Sequence, residues 1–364
     1  MRSIYLDNAA TTPLCDAAKK VIIEHLDDFG NPSSSHELGR QSRVLIEDAR
    51  DRIAKCINAE PDEIYFTSGG SEANTWALDN YTSISASFEH HSIQANYNSV
   101  FVKNDGCVEP QSFILFSHPL SKLFELVSCM YVNNEIGTIQ PIKEIANTAH
   151  RKNMLFHTDA VQAICYIPID VKYLNCDMLS ASAHKFGGPK GVGFLYIRNG
   201  TKMKSLINGG KQENGLRGGT ENVLGIISMA AALEDTVKHI EERNIHIKHL
   251  RDKMLEQLLQ IPGSNLNGSL ENRVHGNINI RFSGVSGAKL VTLCSLYGIY
   301  ISSGSACNEG VPKPSHVLKA IGLTDEEALS SIRITIGHEN TEEEIDKAIE
   351  IITALVERIR SEDE

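Results

Sequence analysis

The sequence predicts an α/β fold: a large, mostly parallel sheet domain flanked by helices, joined to a smaller α+β C-terminal domain. Three observations carry that prediction. The apolar runs Leu126–Val132 and Leu155–Asp159 end in polar residues, the pattern of buried parallel strands whose C-terminal tips face a ligand. Residues 63 to 84 read as strand, glycine-rich turn and helix. A long helical stretch from about Asn222 to Gln260, with a break expected near Arg243, then separates residues 15–240 from a smaller unit made of 1–14 and 241–364.

Composition narrows the function classes. The chain has 364 residues, 41% of them hydrophobic, and a formal net charge of -11. That apolar content is ample for a large core. The acidic balance, with no compensating Lys/Arg run, argues against direct binding of nucleic acid. No apolar run approaches a signal sequence or a membrane span, so a cytoplasmic protein without membrane contact is expected. The eight cysteines are scattered with no C-x-x-C pair, which reads as free thiols in a reducing compartment rather than disulfides or metal ligands.

Taken in order, Ile4-Tyr-Leu is a short strand and Asp7-Asn-Ala-Ala-Thr-Thr-Pro13 a shaped loop rich in hydroxyls. Helices from about Asp16 to Asp28 and through Leu38–Ile57 bracket the polar turn Gly30-Asn-Pro-Ser-Ser-Ser-His36, a connector or a lid. Ile64–Thr67 runs into Ser68-Gly-Gly-Ser-Glu-Ala-Asn74, where a glycine-opened helix N-terminus offers unpaired amides to a phosphate. A plain turn that binds nothing is the alternative, and neither nucleotide-loop spacing is present. Ser83–Phe88 is a strand ending at Glu89-His90-His91, where a histidine could face a cofactor ring or move protons. Between Gln94 and Lys122 only Ser99–Val102 reads as a strand.

Pro141–Lys152 is a helix and Leu155–Asp159 the next strand, with Asp159 and Gln162 at i and i+3. A carboxylate buried at that tip calls for a cation, either a protonated ring nitrogen or an arginine. A strand ending at Met178-Leu179 then breaks into small residues before His184-Lys185 and a Gly-Gly-Pro turn, with a further strand from Val192 to Ile197. A lysine held at the end of a sheet can be desolvated, which lowers its pKa and makes it a nucleophile toward an aldehyde. A surface lysine is the alternative. Gly209–Thr220 is the most glycine-dense loop. In the C-terminal domain, strands Asn277–Phe282 and Ile299–Ile301 flank a helix from Ala288 to Tyr297. The small-residue loop Ser302–Gly310 holds Cys307, placed unlike the other thiols where it can be exposed. Ser330–Gly337 is a strand carrying Arg333, and Thr341-x-x-Glu344 caps the last helix.

Lysine, phosphate seat, carboxylate and histidine are the parts a pyridoxal phosphate enzyme supplies. The pieces Tyr5-Leu-Asp-Asn-Ala-Ala-Thr-Thr-Pro, Gly30-Asn-Pro-Ser-Ser-Ser-His, Thr67-Ser-Gly-Gly-Ser-Glu-Ala-Asn, Val132-Asn-Asn-Glu-Ile-Gly, Asp159-Ala-Val-Gln, Ser182-Ala-His-Lys and Ser302-Ser-Gly-Ser-Ala-Cys occur in one chain, in this order. Together they resemble the cysteine desulfurases, pyridoxal-phosphate enzymes with the aspartate-aminotransferase type of fold. The resemblance runs from Tyr5 to the final helix. The Cys307 loop is similar to that of the subgroup with the longer catalytic loop, which feeds iron-sulfur assembly and related sulfur pathways.

The resemblance implies the following roles. Lys185 would carry pyridoxal 5'-phosphate and move the substrate Cα proton, Asp159 would keep the ring nitrogen protonated, Gln162 would donate to the ring oxygen, and His90 would stack on the ring. Gly70, Ser71, Ser182 and His184 would hold the phosphate, with Thr220 reaching across from a second subunit. Asn134 and Arg333 would fix the carboxylate of L-cysteine. Cys307 would take the sulfur as a persulfide and release alanine, its loop swinging toward an acceptor such as an iron-sulfur scaffold or a tRNA-thiolation protein.

Three departures stand against the family pattern. Lys211 and Asn214 occupy positions where Gly and Arg are expected. The connection between the Ser71 helix and the Ser85 strand looks short by about a dozen residues. His338-Glu-Asn-Thr follows Gly337 without the expected Arg, and the tail to Glu364 carries no scaffold-docking extension. Two other readings stay open: an aminotransferase, selenocysteine lyase or other carbon-sulfur lyase with Cys307 structural, and a non-catalytic, partner-activated sulfur-transfer subunit.

Overall fold

A computed structural model describes residues 3–93, 99–114, 124–303, 307–308 and 311–363, with 307–308, 311–312 and 363 described by backbone alone. In chain order the elements are β1 (Ile4–Tyr5), α1 (Asp16–Glu24), α2 (Glu37–Cys56), β2 (Ile64–Thr67), α3 (Gly70–Asp79), β3 (Ser83–Ala86), β4 (Ser99–Val100), β5 (Leu126–Ser128), α4 (Ile142–His150), β6 (Leu155–Asp159), α5 (Val171–Leu174), β7 (Met178–Ser182) and β8 (Gly193–Ile197). They continue with α6 (Val223–Leu258), β9 (Ser264–Leu266), β10 (Asn277–Phe282), α7 (Gly287–Leu296), β11 (Ile299–Tyr300), β12 (Cys307–Asn308), β13 (Val311–Pro312), α8 (His316–Ala320), α9 (Asp325–Leu329), β14 (Ser331–Thr335) and α10 (Glu342–Asp363).

The large sheet has strand order β2-β8-β7-β6-β5-β3-β4. It is parallel except at β8, which runs antiparallel to both β2 and β7. The helical crossovers place the C-terminal tips of β3, β5, β6 and β7 along one edge, where ligands bind in open α/β sheets. The apolar run expected to form a strand to Val132 leaves the sheet earlier. Beyond Ser128 it stays bonded to β6, through Cys129 N–H to His157 O (3.1 Å) and Tyr131 N–H to Asp159 O (2.9 Å). The Met130 amide donates instead to the buried Glu89 carboxyl at 2.9 Å.

The strand before Lys185 also differs from expectation, since it begins at Met178 and contains the small residues. Ser180, Ala181 and Ser182 pair with Leu195, Phe194 and Gly193, and a Cβ on Gly193 would lie 2.5 Å from Ala181 O. Small side chains permit this approach without ending the strand. From α3 to β3 only residues 80–82 intervene, so the chain turns straight back into the sheet.

α6 is continuous through Arg243, against the expected break. Arg243 pairs with Asp235 at 2.6 Å and Asn244 donates to Tyr166 O at 2.7 Å, so the polar stretch is anchored without interrupting the helix. The N-terminal half of α6, from Ile226 to Leu233, packs into the larger apolar cluster. Its C-terminal half, from Ile247 to Leu258, packs into a second cluster with β1, β10, β14, α7 and α10. The segment of α8 and α9, assigned to the smaller domain from sequence, sends Val317, Leu318, Ile321 and Ala328 into the larger cluster instead. Thr341 and Glu344 form the expected reciprocal cap on α10, at 3.3 Å in both directions. Among the described residues, no helix is long and apolar enough to cross a membrane.

Candidate active site

The strand tips open onto a cavity of about 670 Å³ lined by Gly70, Ser71, His90, Asn134, Asp159, Gln162, Ser182, His184, Lys185 and Arg333. The turn into α3 forms one end of it. Gly69 has φ of 151°, a conformation that L side chains rarely adopt, and no side chain caps the helix. The first amides of α3 therefore remain available to an anion, reinforced by the helix dipole. Glu72, in the same first turn, would oppose that anion. Arg217 pairs with it through Nε at 2.9 Å and Nη2 at 3.2 Å and offsets its charge.

Lys185 is fixed by the hydroxyl-rich N-terminal loop. Its Nζ donates to Ala9 O at 2.6 Å and Ala10 O at 2.8 Å. The same loop grips the turn around it: Thr12 N–H and Oγ1 donate to His184 O, and Gly187 N–H donates to Thr12 Oγ1 at 2.9 Å. Burial, helped by the nearby Arg333 cation, lowers the Lys185 ammonium to about 8. Burial and the adjacent Lys185 and Lys190 cations hold His184 down to about 4, so its ring is neutral and meets Thr11 Oγ1 at 3.1 Å.

Asp159, only 4% exposed, is held by neutral donors, Asn74 Nδ2 at 2.7 Å and the Val161 amide at 2.9 Å. Neutral donors leave its charge to be matched by a cation in the cavity. Asn74 also donates to Ser92 Oγ at 2.9 Å, and Ser92 orients His90 through its hydroxyl at 2.8 Å and its amide at 3.2 Å from Nδ1. The amide makes Nδ1 an acceptor and assigns the neutral ring's proton to Nε2. Burial lowers the His90 pKa. Sequence reasoning missed Asn74, whose only signal was its place one turn into the phosphate-seat helix. It also missed His157, two residues before Asp159 and so on the same face of β6. His157 bridges Ser128 on β5 and Ser180 on β7 at 2.9 Å each. Burial pushes its pKa to about 3, making it a neutral brace across three strands.

At the other end, Arg333 Nη1 donates to Asn134 O at 3.1 Å and Nη2 pairs with Asp7 at 2.8 Å. Its Nε is buried and has no partner among the described residues. An orphaned donor costs free energy unless a ligand accepts from it, which suits a substrate carboxylate. Gln162 donates to Ala9 O at 2.9 Å and lines the cavity beside Lys185.

Two expected residues lie apart. Thr220 is exposed and lines a separate space of about 140 Å³ with Arg217 and Glu221. The Cys307 side chain lies outside the described residues; its backbone, with Asn308, pairs antiparallel with β13. The loop carrying Lys211 and Asn214 has its own anchor. Glu213 is 7% exposed, takes a bidentate pair from Arg50 at 2.8 and 2.9 Å, and accepts from the Phe66 amide at 2.8 Å. Glu213 and Asn214 have φ of 45° and 56°, and the buried ion pair holds them in that left-handed conformation.

The residues present fit pyridoxal phosphate. The open helix N-terminus would receive the phosphate, the buried Asp159 carboxylate the ring nitrogen, and the desolvated Lys185 the aldehyde.

A family model described as aminotransferase class-V matches residues 4–348. The chain is similar to the cysteine desulfurase IscS of Methanosarcina thermophila, with 41% identity over 380 residues that cover 99% of this chain and 93% of that protein. Among solved structures, a NifS-like protein superposes with a TM-score of 0.90 at 35% identity, covering 98% of this chain and 100% of its own. SspA in complex with cysteine superposes with a TM-score of 0.79 at 32% identity, covering 93% and 100%.

Proposed function

The chain belongs to the class-V aminotransferase family, in its cysteine desulfurase branch, and from that premise we infer that sulfur taken from L-cysteine passes to Cys307. The protein is a pyridoxal-phosphate-dependent cysteine desulfurase. One observation supports the assignment of residues most directly: Lys185, Asp159, the uncapped start of α3 and Arg333 line a single cavity.

Lys185 would hold the cofactor, Asp159 its ring nitrogen, Gln162 its ring oxygen, and Gly70, Ser71, Ser182 and His184 its phosphate. When bound, the cofactor supplies an electron sink for the pair released at the substrate Cα. Arg333 and Asn134 orient the cysteine carboxylate, and Lys185, with its lowered pKa, moves the Cα proton. His90, which lines the same cavity, would stack on the ring and help move protons. The Cys307 thiolate attacks the substrate sulfur, an S–S bond forms and the C–S bond breaks. The carbon fragment keeps the bonding pair, is protonated and leaves as alanine. Cysteine and thiol become alanine and persulfide, and no external oxidant is needed.

The active unit is a homodimer in this reading. Thr220 is exposed and outside its own cavity, which supports a contact with the neighbouring phosphate. Ile23, Leu26, Phe29 and Val44 leave apolar surface for a second copy to cover. The division at 1–14 with 241–364 against 15–240 is supported by the change of apolar cluster along α6, with α8 and α9 the exception in packing into the larger cluster. Cytoplasmic residence and onward transfer to an acceptor protein, such as an iron-sulfur scaffold or a tRNA-thiolation protein, complete the proposal.

The test is the visible spectrum of the purified protein, followed by alanine and sulfide yield with L-cysteine and a thiol reductant, for wild type and Cys307→Ala. The expected result is two yellow proteins of which only the wild type makes both products. Equal sulfide from the variant would overturn the Cys307 role in favour of a different carbon-sulfur lyase, and a colourless wild type would support the partner-activated subunit.

A further inference from the structure

The segment that bears Cys307 is flanked by two feet, each bonded to a residue that lines the cavity or directly adjoins one that does. Its N-terminal foot is Ser302, whose N–H donates to Arg333 O at 3.0 Å and whose O accepts from Arg333 N–H at 2.7 Å. Its C-terminal foot is Ser315-His316, where α8 begins. Ser315 is buried, and its Oγ donates to Glu135 Oε2 at 2.5 Å while accepting from the Val317 and Leu318 amides that it caps. His316 Nε2 meets Glu89 O at 2.9 Å, and its ring lies 4.6 Å from that of His91.

Glu135 is itself held firmly. Its carbonyl accepts from Asn277 Nδ2 at 3.0 Å and Asn279 Nδ2 at 3.1 Å, and its amide donates to Asn133 Oδ1 at 2.9 Å. It directly follows Asn134, which lines the cavity. The C-terminal foot thus stands on the turn proposed to orient the substrate and on the strand tip that carries His90. Between the feet, Cys307 pairs with Pro312 across a two-stranded hairpin. Cys307 is separated in sequence from Ser302 and from Ser315 by tethers of at most about 18 Å and about 29 Å, so the two feet together bound where that residue can lie.

We propose that Glu135 is a positioning residue for Cys307, acting through the Ser315 hydroxyl to hold the C-terminal foot of the sulfur-accepting segment against the turn that orients the substrate. The inference deepens the desulfurase reading and rests on it. A misplacement of the attacking sulfur by about 1 Å can cost on the order of a hundredfold in rate, whereas none of the side chains proposed to hold the cofactor or the substrate carboxylate bonds to the Ser315 hydroxyl. Glu135→Gln keeps an oxygen that accepts the Ser315 hydrogen bond, and Glu135→Ala removes it.

The experiment mixes holoenzyme with L-cysteine without reductant and follows single-turnover persulfide formation on Cys307 by mass spectrometry. Cysteine affinity is taken in parallel from the change in cofactor absorbance. Glu135→Ala is expected to slow persulfide formation by about tenfold to a hundredfold, with cysteine affinity and the resting spectrum unchanged, and Glu135→Gln to restore most of the rate. Ser315→Ala, which also loses the α8 cap, is expected to add little to Glu135→Ala in the double variant. Should Glu135→Ala fail to fold, Glu135→Gln set against Ser315→Ala carries the comparison. Unchanged persulfide rates, a loss traced to weakened cysteine binding, no rescue by Gln, or multiplicative effects in the double variant would each overturn the proposal. A wild type that forms no persulfide would overturn the desulfurase reading, which an active wild type with indifferent variants would leave standing.

Discussion

Lys185 and Cys307, on which the proposed reaction turns, sit in differently built surroundings. Lys185 is surrounded: two backbone carbonyls accept from its amine, and Thr12 ties down the residues on either side of it. Cys307 lies on a hairpin whose feet are bonded to the cavity wall at Ser302 and at Ser315-His316. The glycine-dense loop is intermediate, anchored within its length by the Arg50–Glu213 and Arg217–Glu72 pairs. Proton transfer at the cofactor needs fixed geometry, while sulfur delivery needs reach, and the contacts divide accordingly.

Breaking the most enclosed point should have the largest effect. Lys185→Ala is expected to lose covalent cofactor attachment and to lower turnover by about 10²–10⁴-fold for the proton-transfer role alone, read as alanine release. Next comes the intermediate loop. Arg50→Met leaves Glu213 buried without its partner and is expected to cost about 3–5 kcal/mol of stability, measured by denaturant unfolding of the holoenzyme. A loss below about 1 kcal/mol would place the pair among surface ion pairs and remove the anchor from the comparison. Arg333→Ala removes the substrate clamp while leaving the Lys185 amine and its two carbonyl partners in place, and should raise KM for L-cysteine by about 10–100-fold, the worth of a charge-assisted hydrogen bond, with a smaller change in kcat.

The smallest effect is a shift along the pH axis. A free amine attacks the cofactor aldehyde, so the rate at which cofactor-free protein takes up pyridoxal phosphate should rise with pH and level off with a midpoint near 8. Burial is the main cause of the low value and Arg333 the second, so Arg333→Ala should move that midpoint upward. Stability follows the same linkage. Below about 8 the folded protein bears the cost of burying the cation. Between about 8 and the ordinary value of 10.5 the unfolded chain holds a proton that the folded chain has released. The cofactor-free protein should therefore gain stability across that window and level off above it, which melting temperatures across the window would check. A midpoint for uptake near the ordinary lysine value would mean that the enclosure seen around Lys185 does not desolvate it.

Much of this architecture is legible in the sequence because it is written locally. The polar tip on an apolar run marks the end of β6 at Asp159, glycines open α3, and Thr341 with Glu344 start α10. Those signals operate within a few residues, where backbone sterics and side-chain alternation act directly. The order of the motifs supplied the cofactor and the chemistry.

Tertiary structure alone decided which distant groups complete each part. Lys185 meets Ala9 across 176 positions, Arg50 meets Glu213 across 163, and Ser315 meets Glu135 across 180. Asp7 beside Arg333, His157 between two serines, and the setting of Thr220 outside its own cavity belong to the same class. Such contacts depend on where the sheet and the long helix α6 bring separate segments together. No periodicity or propensity within a segment encodes them, because their free energy exists only once the elements have packed.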